Sequence, residues 1–171
     1  NKNLLDVSEQ NNILNTCFNC DEYFGTVINR FILQALIDHP LTIYGEGNQT
    51  RGIIHIDDSI KCMHLSELNP PKSGEMNIYN QISETMSINQ IAKHVSEYFK
   101  IKFNKEVSIK FFDNPRIEKN NHYYNPTYSK LNDLGFEPQL LSLESIDHIV
   151  KKLLKYKNLI DKKLFDPQSN W

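Results

Sequence analysis

The sequence predicts an α/β fold, in which a small mixed sheet is flanked by helices. Two observations lead to this class. Short segments with strand patterning alternate with segments whose apolar residues recur at helical spacing, and no internal repeat is present. Apolar residues make up 39% of the 171 residues, which is enough for one domain with a sizeable core.

The first clear element is a helix over residues 26–38. Thr26 can cap this helix, its apolar residues lie on one side, and Pro40 ends it. Leu41–Tyr44 is then predicted to be a short strand, and Gly45–Asn48 has the composition of a turn.

The next segments continue the alternation of strands and helices. A second strand is predicted over Arg51–Ile56, and a helix capped by Asp57 or Asp58 extends to about Leu68. Glu75–Asn80 has the pattern of a further strand.

The C-terminal half contains the most regular helices. Ser87 and Gln90 have the spacing of a capping box at the start of one helix. Val107–Phe112 is predicted to be a strand, and Ser129–Leu134 is predicted to be a short helix that Gly135 stops. The most strongly amphipathic helix has its apolar side at Ile146, Ile149, Val150, Leu153, Leu154 and Ile160.

The patterning indicates one domain preceded by a loop. Residues 1–22 are rich in Asn, Asp and Glu and show little periodicity, so we expect a loop there and a single domain over 23–171. Because the chain starts at Asn1 rather than Met and has no basic, apolar leader, we expect it to be part of a longer polypeptide.

Charge and hydropathy exclude two classes of partner. The formal net charge of −2 gives no basic field of the kind that neutralises a nucleic-acid backbone, so no nucleic acid is expected. No run approaches the ~18 apolar residues that a membrane span needs, so no membrane is expected.

Arginine is rare in this chain. Among 19 basic residues only Arg30, Arg51 and Arg116 are arginine, and the rest are lysine. A guanidinium binds phosphate or carboxylate through two parallel hydrogen bonds, so each arginine is a candidate ligand for such a group. An ordinary surface charge remains the alternative for each of them.

Two motifs have the spacing of known metal or catalytic sites, but the residues around them do not fit such sites. Cys17 and Cys20 form a C-x-x-C, but no second pair follows at zinc-ribbon spacing, so we expect a plain loop and no metal site. Tyr98 and Lys102 have the spacing of a catalytic Tyr-Lys pair, but no glycine-rich cofactor turn precedes them. We expect a half-buried aromatic ring beside a solvated lysine.

Three stretches carry a resemblance to a known family. They are Phe24–Phe31, then His39–Gly45 with Gln49–Gly52 and Asp57–Asp58, then Asn114–Arg116 with His122–Asn125. In this order they resemble the UDP-sulfoquinovose synthases, a branch of the extended short-chain dehydrogenases that includes the NAD-dependent epimerases and dehydratases. The resemblance implies the C-terminal, substrate-binding part of such an enzyme, without its N-terminal Rossmann core.

The resemblance also implies which residues bind the UDP part of a nucleotide sugar. Leu41, Thr42 and Tyr44 would line the uridine, while Arg51 and Arg116 would clamp the phosphates. The full set of candidate substrate-binding residues is Thr26, Asn29, Arg30, Leu41, Thr42, Tyr44, Gln49, Arg51 and Arg116. No catalytic residue is expected in this chain, because the resemblance places the catalytic Thr, Tyr and Lys in the N-terminal part.

For the whole enzyme, the resemblance implies conversion of UDP-glucose and sulfite to UDP-sulfoquinovose with tightly held NAD, and a place among the hydrolases. NAD would be bound mainly by the N-terminal part. Partners would be sulfite, or a protein that donates it, and a second subunit in a homodimer. The compartment would be the plastid stroma in a phototrophic eukaryote and the cytoplasm otherwise.

Three other functions remain open from the sequence alone, and the least specific is a generic interaction domain, which the acidic pI and the amphipathic C-terminal helix would allow. A UDP-sugar epimerase or dehydratase shares the same plan of helix, strand, turn and arginine. A non-catalytic module that binds a nucleotide sugar would also need the binding residues but no catalytic ones.

Overall fold

The computed structural model describes residues 26–113, 126, 128–160 and 162–165. Strands and helices alternate over these ranges, which confirms the α/β class. The helices are α1 (Val27–Leu36), α2 (Ile56–Leu68), α3 (Ile88–Phe103), α4 (Ser129–Asn132) and α5 (Leu143–Leu154). The strands are β1 (Leu41–Tyr44), β2 (Thr50–Ile53), β3 (Glu84–Ser87) and β4 (Ile109–Phe112). Short 3-10 turns follow α5 at Lys157–Leu159 and Lys162–Phe165.

The described strands form two separate two-stranded sheets. β1 pairs in parallel with β4, with Leu41 opposite Ile109, and β2 pairs antiparallel with β3, with Arg51 opposite Met86. β1 and β2 are consecutive in sequence but belong to different sheets, so the turn between them carries the chain from one sheet to the other.

The main core lies between α1, α3, α5 and β1. It is made of apolar side chains that come mostly from these four elements, and many of them have no solvent exposure. Examples from each element are Phe31, Ile32, Ile43, Ile91, Val95, Ile146 and Val150. The predicted capping box of α3 is confirmed, because the side chains of Ser87 and Gln90 each accept from the other's backbone N–H.

The start of α2 differs from the sequence prediction. His55, rather than Asp57 or Asp58, is the N-cap, and its Nδ1 accepts from the Asp57 N–H at 3.2 Å. Asp58 points inward instead and has no solvent exposure. A carboxylate can cap a helix at the surface, but here the side chain makes more hydrogen bonds in the interior.

Asp58 is the centre of a buried polar cluster that joins three segments. Its Oδ1 accepts from Lys61 Nζ at 2.8 Å and from Gln139 Nε2 at 3.0 Å. Its Oδ2 accepts from Gln139 N at 2.6 Å and from Ser83 Oγ at 3.2 Å. Burial raises the pKa of Asp58, but the hydrogen bonds from Lys61 and Gln139 outweigh it and hold the pKa below its ordinary value.

The prediction of a strand over Glu75–Asn80 is wrong, because no strand is assigned to those residues. Met76 and Ile78, the alternating apolar residues of this segment, are 78% and 60% exposed, so they do not belong to the core of the described residues. The strand in this region is β3, which pairs with β2. The last predicted helix is also shorter than expected, since α5 ends at Leu154 and Ile160 follows it.

Candidate functional site

The turn between β1 and β2 brings several predicted site residues together. Gly45 and Gly47 have φ angles of 68° and 76°, in the left-handed region that favours glycine. The Gln49 side chain closes the turn, because its Nε2 donates to the Tyr44 carbonyl at 3.0 Å. Tyr44 therefore lies at one end of the turn, and Arg51 lies just beyond the other.

Arg51 is exposed at the surface of β2. Its Nη1 donates to the neighbouring Thr50 carbonyl at 2.8 Å. A permanently charged fork at the surface beside a glycine turn is suited to contact an anionic group that approaches from solvent.

Arg30 has a different position, since it belongs to α1 and its largely buried side chain reaches β1. Its Nη2 donates to the Thr42 carbonyl at 3.1 Å, and its guanidinium carbon lies 5.6 Å from the Tyr44 ring centroid. Burial lowers the pKa of Arg30, and the nearby Tyr44 acts in the opposite direction. Its buried Nε has no hydrogen-bond partner among the described residues. Arg30 therefore connects α1 to β1 and is not a surface charge.

Leu41 and Thr42 are both buried, with 0% and 1% exposure, and Leu41 belongs to the main core. Thr42 is held by Gln34, whose Nε2 donates to Thr42 Oγ1 at 2.7 Å and whose Oε1 accepts from Thr42 N at 3.1 Å. Gln34 itself is fully buried. Of the β1 candidates, Tyr44 is the one with a side chain partly open to solvent.

The remaining candidates lie at the start of α1 or outside the described residues. Thr26 is the exposed N-cap of α1, and its carbonyl accepts from Arg30 N at 2.9 Å. Asn29 lies in the first turn of α1 and is partly buried. Arg116, Cys17 and Cys20 lie outside the described residues.

One residue of this region was missed by the sequence reasoning. Asn89, in the first turn of α3, hydrogen-bonds to the turn between β1 and β2. The Ser87–Gln90 capping box had located the helix start, but no local pattern indicates which distant segment packs against it. The glycines at 45 and 47 were the available signal that something approaches this turn closely.

The described residues do not fit a dinucleotide pyrophosphate site. Such a site needs a glycine-rich turn that leads from a strand into a helix, and the Gly45–Gly47 turn leads into β2 instead. The first backbone amides of α3 already donate to Gln49 O, Gly47 O and Ser87 Oγ. No step that involves NAD can therefore be derived from these residues.

Tyr98 is a core residue, more buried than the sequence suggested. It is 1% exposed, and its hydroxyl donates to Asp147 Oδ1 at 2.8 Å. Burial, together with this hydrogen bond, raises the pKa of Tyr98 above its ordinary value. A catalytic Tyr needs a lowered pKa and access to substrate, so Tyr98 has a packing role.

The described residues contain neither a metal-binding cluster nor a membrane-spanning helix. Over 26–113 and 128–160, no group of three or more His, Cys, Asp or Glu side chains could hold a metal ion. Among the helices that the structure describes, none is long and apolar enough to cross a membrane.

Comparisons with known proteins agree with the expected resemblance. Residues 18–80 match the NAD dependent epimerase/dehydratase family. The chain is 40% identical to the chloroplastic UDP-sulfoquinovose synthase of Spinacia oleracea over 90% of its own length and 32% of that protein. It is also 40% identical to the UDP-sulfoquinovose synthase of Sulfolobus acidocaldarius, over 92% of its own length and 40% of that protein.

A solved structure shares the same fold. The UDP-glucuronic acid 4-epimerase of Bacillus cereus, in complex with UDP-glucuronic acid and NAD, superposes with a TM-score of 0.58 and 27% identity. The match covers 75% of this chain and 40% of that one. The hydrolase assignment is not supported, because the matches name synthases, epimerases and dehydratases.

The chain spans a third to two fifths of the length of the curated relatives it matches, with 32% and 40% of the two synthases covered. The described strands and helices share the fold of the corresponding part of the UDP-glucuronic acid 4-epimerase. By sequence and by fold, the chain is related to the NAD-dependent epimerases and dehydratases, with UDP-sulfoquinovose synthases among its relatives.

Proposed function

We propose that the chain is the UDP-binding segment of an enzyme that converts UDP-glucose and sulfite to UDP-sulfoquinovose. The observation that carries this proposal is the 40% identity to synthases from a plant and an archaeon over about nine tenths of the chain. In the overall reaction a sulfonate replaces the 6-hydroxyl of the glucose, and that hydroxyl leaves as water.

The turn between β1 and β2 is the proposed binding element. Tyr44 would contact the uridine, and Arg51 would pair with the diphosphate from the far end of the turn. A diphosphate suits a guanidinium because two of its oxygens can accept parallel hydrogen bonds. Arg116 is proposed as the second phosphate ligand, and Gln49 would act by closing the turn, since its Nε2 donates to the Tyr44 carbonyl.

The other candidate residues would act through the framework around that turn. The Leu41 and Thr42 side chains are buried, so β1 would meet the uridine through its main chain and Tyr44. Thr26 and Asn29 would contribute at the start of α1, near the pyrophosphate.

The rest of the proposed enzyme lies outside this chain. NAD would be held mainly by a preceding part of the protein, as would the catalytic residues, so this segment alone should not turn over. Sulfite or a sulfite-donating protein, and a second subunit in a homodimer, complete the proposed partners. The chloroplastic spinach relative is consistent with a plastid location if the source is a phototrophic eukaryote.

The test is a reaction with the full-length protein. Incubation with UDP-glucose, NAD and sulfite should yield a sulfonated nucleotide sugar, detected by mass spectrometry, and omission of sulfite should abolish that product. Formation of UDP-galactose with no sulfonated product would contradict the proposal and favour an epimerase.

An epimerase or dehydratase is the second candidate, favoured by the 27% identity to the UDP-glucuronic acid 4-epimerase. A non-catalytic nucleotide-sugar-binding module is the third. It would be favoured if the full-length protein binds UDP-glucose but forms no product under any of these conditions.

A further inference from the structure

Asn89 ties the start of α3 to the turn between β1 and β2. Its Nδ2 donates to the Glu46 carbonyl at 2.9 Å and to Asn48 Oδ1 at 3.3 Å. Its backbone N–H donates to the Gly47 carbonyl at 3.0 Å. A single residue thus contacts three consecutive positions of a turn that lies 43 residues earlier in the sequence.

Gly47 and Asn89 fit each other closely. Gly47 is buried and has a φ of 76°, and a Cβ at this position would lie 2.2 Å from Asn89 Oδ1. Any side chain at position 47 would therefore displace Asn89 from the turn, in addition to straining the backbone.

The backbone amides at the start of α3 reinforce the contact. The Ile88 N–H donates to the Gln49 carbonyl at 3.2 Å, next to the bond from Asn89 to Gly47. These amides have no partner within their own helix, so the turn carbonyls satisfy donors that would otherwise face solvent. The same hydrogen bonds therefore satisfy the amides at the start of α3 and hold the backbone of the turn in place.

The same turn sets the separation between Tyr44 and Arg51. We propose that Asn89 is a positioning residue for UDP binding: it holds the Gly45–Gln49 turn so that Tyr44 and Arg51 reach the two ends of the UDP group. This inference rests on the proposed function. Because the contacts of Asn89 are with the turn, it would act on the nucleotide through Tyr44 and Arg51.

The experiment uses the full-length protein with UDP as the probe. The Asn89→Ala variant should bind UDP about tenfold more weakly by calorimetry, the scale expected for the loss of one or two hydrogen bonds that order a binding element. KM for UDP-glucose should rise by a similar factor while kcat changes little, because the residue acts on binding geometry. Asn89→Asp should behave like Asn89→Ala, since aspartate lacks the two amide donors.

A double variant separates positioning from a general loss of structure. Gly47→Ala should weaken UDP binding on its own, and the Asn89→Ala/Gly47→Ala pair should lose much less than the product of the two single effects. Lys93→Ala, at an exposed position one turn further along α3, is the matched control and should bind UDP like the wild type.

The outcomes distinguish this inference from the proposed function. If the wild type binds UDP and Asn89→Ala binds it equally well, the positioning role is wrong and the UDP-binding proposal survives. If the wild type fails to bind UDP, both are wrong. Independent, multiplicative effects of the two variants would also contradict a shared action through the turn.

Discussion

Two polar regions of this chain differ in what their hydrogen bonds achieve. The Asp58 cluster is buried, and both carboxylate oxygens are paired with donors from Lys61, Ser83 and Gln139. The turn between β1 and β2 is also held by hydrogen bonds, from Gln49 and Asn89, but its cation, Arg51, is exposed.

This difference predicts that the Asp58 cluster contributes mainly to stability and that the turn contributes mainly to binding. In the Asp58 cluster the charged group is surrounded by its own protein, so its hydrogen bonds stabilise the fold. In the turn the protein's hydrogen bonds fix the backbone and leave the guanidinium at the surface. A change at Asp58 should lower stability with little effect on nucleotide affinity, and a change at the exposed Arg51 should lower nucleotide affinity with little effect on stability.

The largest expected effect is on stability. Asp58→Asn removes the charge and half of the acceptor capacity while leaving the Gln139 and Lys61 donors in place, so we expect a loss of roughly 2 to 4 kcal/mol. Urea unfolding of the full-length protein and the variant measures the difference. A loss below about 0.5 kcal/mol, the range of ordinary surface changes, would show that the cluster is not stabilising.

The same carboxylate predicts a pH dependence. The folded-state pKa of Asp58 lies below its ordinary value, so its contribution to stability is present above the unfolded-state pKa of about 3.9 and is lost as pH falls through the lower, folded-state value. In Asp58→Asn, the free energy of unfolding should fall less steeply over this acid range than in the wild type. If the free energy of unfolding falls equally steeply with pH in both proteins over this range, the pH dependence does not come from Asp58.

The next effect is on binding. Arg51→Lys keeps the positive charge but loses the planar fork, so UDP-glucose binding in the full-length protein should weaken by roughly 1 to 3 kcal/mol. The thermal unfolding midpoint should stay close to that of the wild type, because Arg51 is exposed. Calorimetry with unchanged affinity would remove Arg51 from the proposed site.

The smallest effect tests the buried tyrosine. Tyr98→Phe removes the hydroxyl that donates to Asp147, and we expect a stability loss of about 1 kcal/mol. Since Tyr98 is buried away from the turn, kcat and the affinity for UDP should not change. A drop of several orders of magnitude in kcat would instead identify Tyr98 as a catalytic residue.

Local patterns predicted most of the fold, and tertiary contacts account for what they missed. β1 and α1 follow from apolar spacing, and the start of α3 follows from the capping residues Ser87 and Gln90, whereas the Thr26 side chain makes no cap hydrogen bond at the start of α1. The segment 75–80 had strand alternation, but a strand also needs a partner edge, and β2 pairs with β3 instead.

The prediction of site residues from the sequence was limited in the same way. Arg51 was a candidate because arginine is rare in this chain, and its exposure depends only on the turn next to it in the sequence. The direction of the Asp58 side chain depends on Gln139, 81 residues away, and the role of Asn89 depends on Gly47. No pattern within one helix could have indicated either contact.

The most direct test of the account is a calorimetric titration of UDP into three forms of the full-length protein: wild type, Arg51→Lys and Tyr98→Phe. We expect Tyr98→Phe to bind UDP like the wild type and Arg51→Lys to bind it roughly 5- to 150-fold more weakly, the factor that corresponds to 1 to 3 kcal/mol. Equal binding by all three forms would contradict the claim that the turn between β1 and β2 holds the nucleotide.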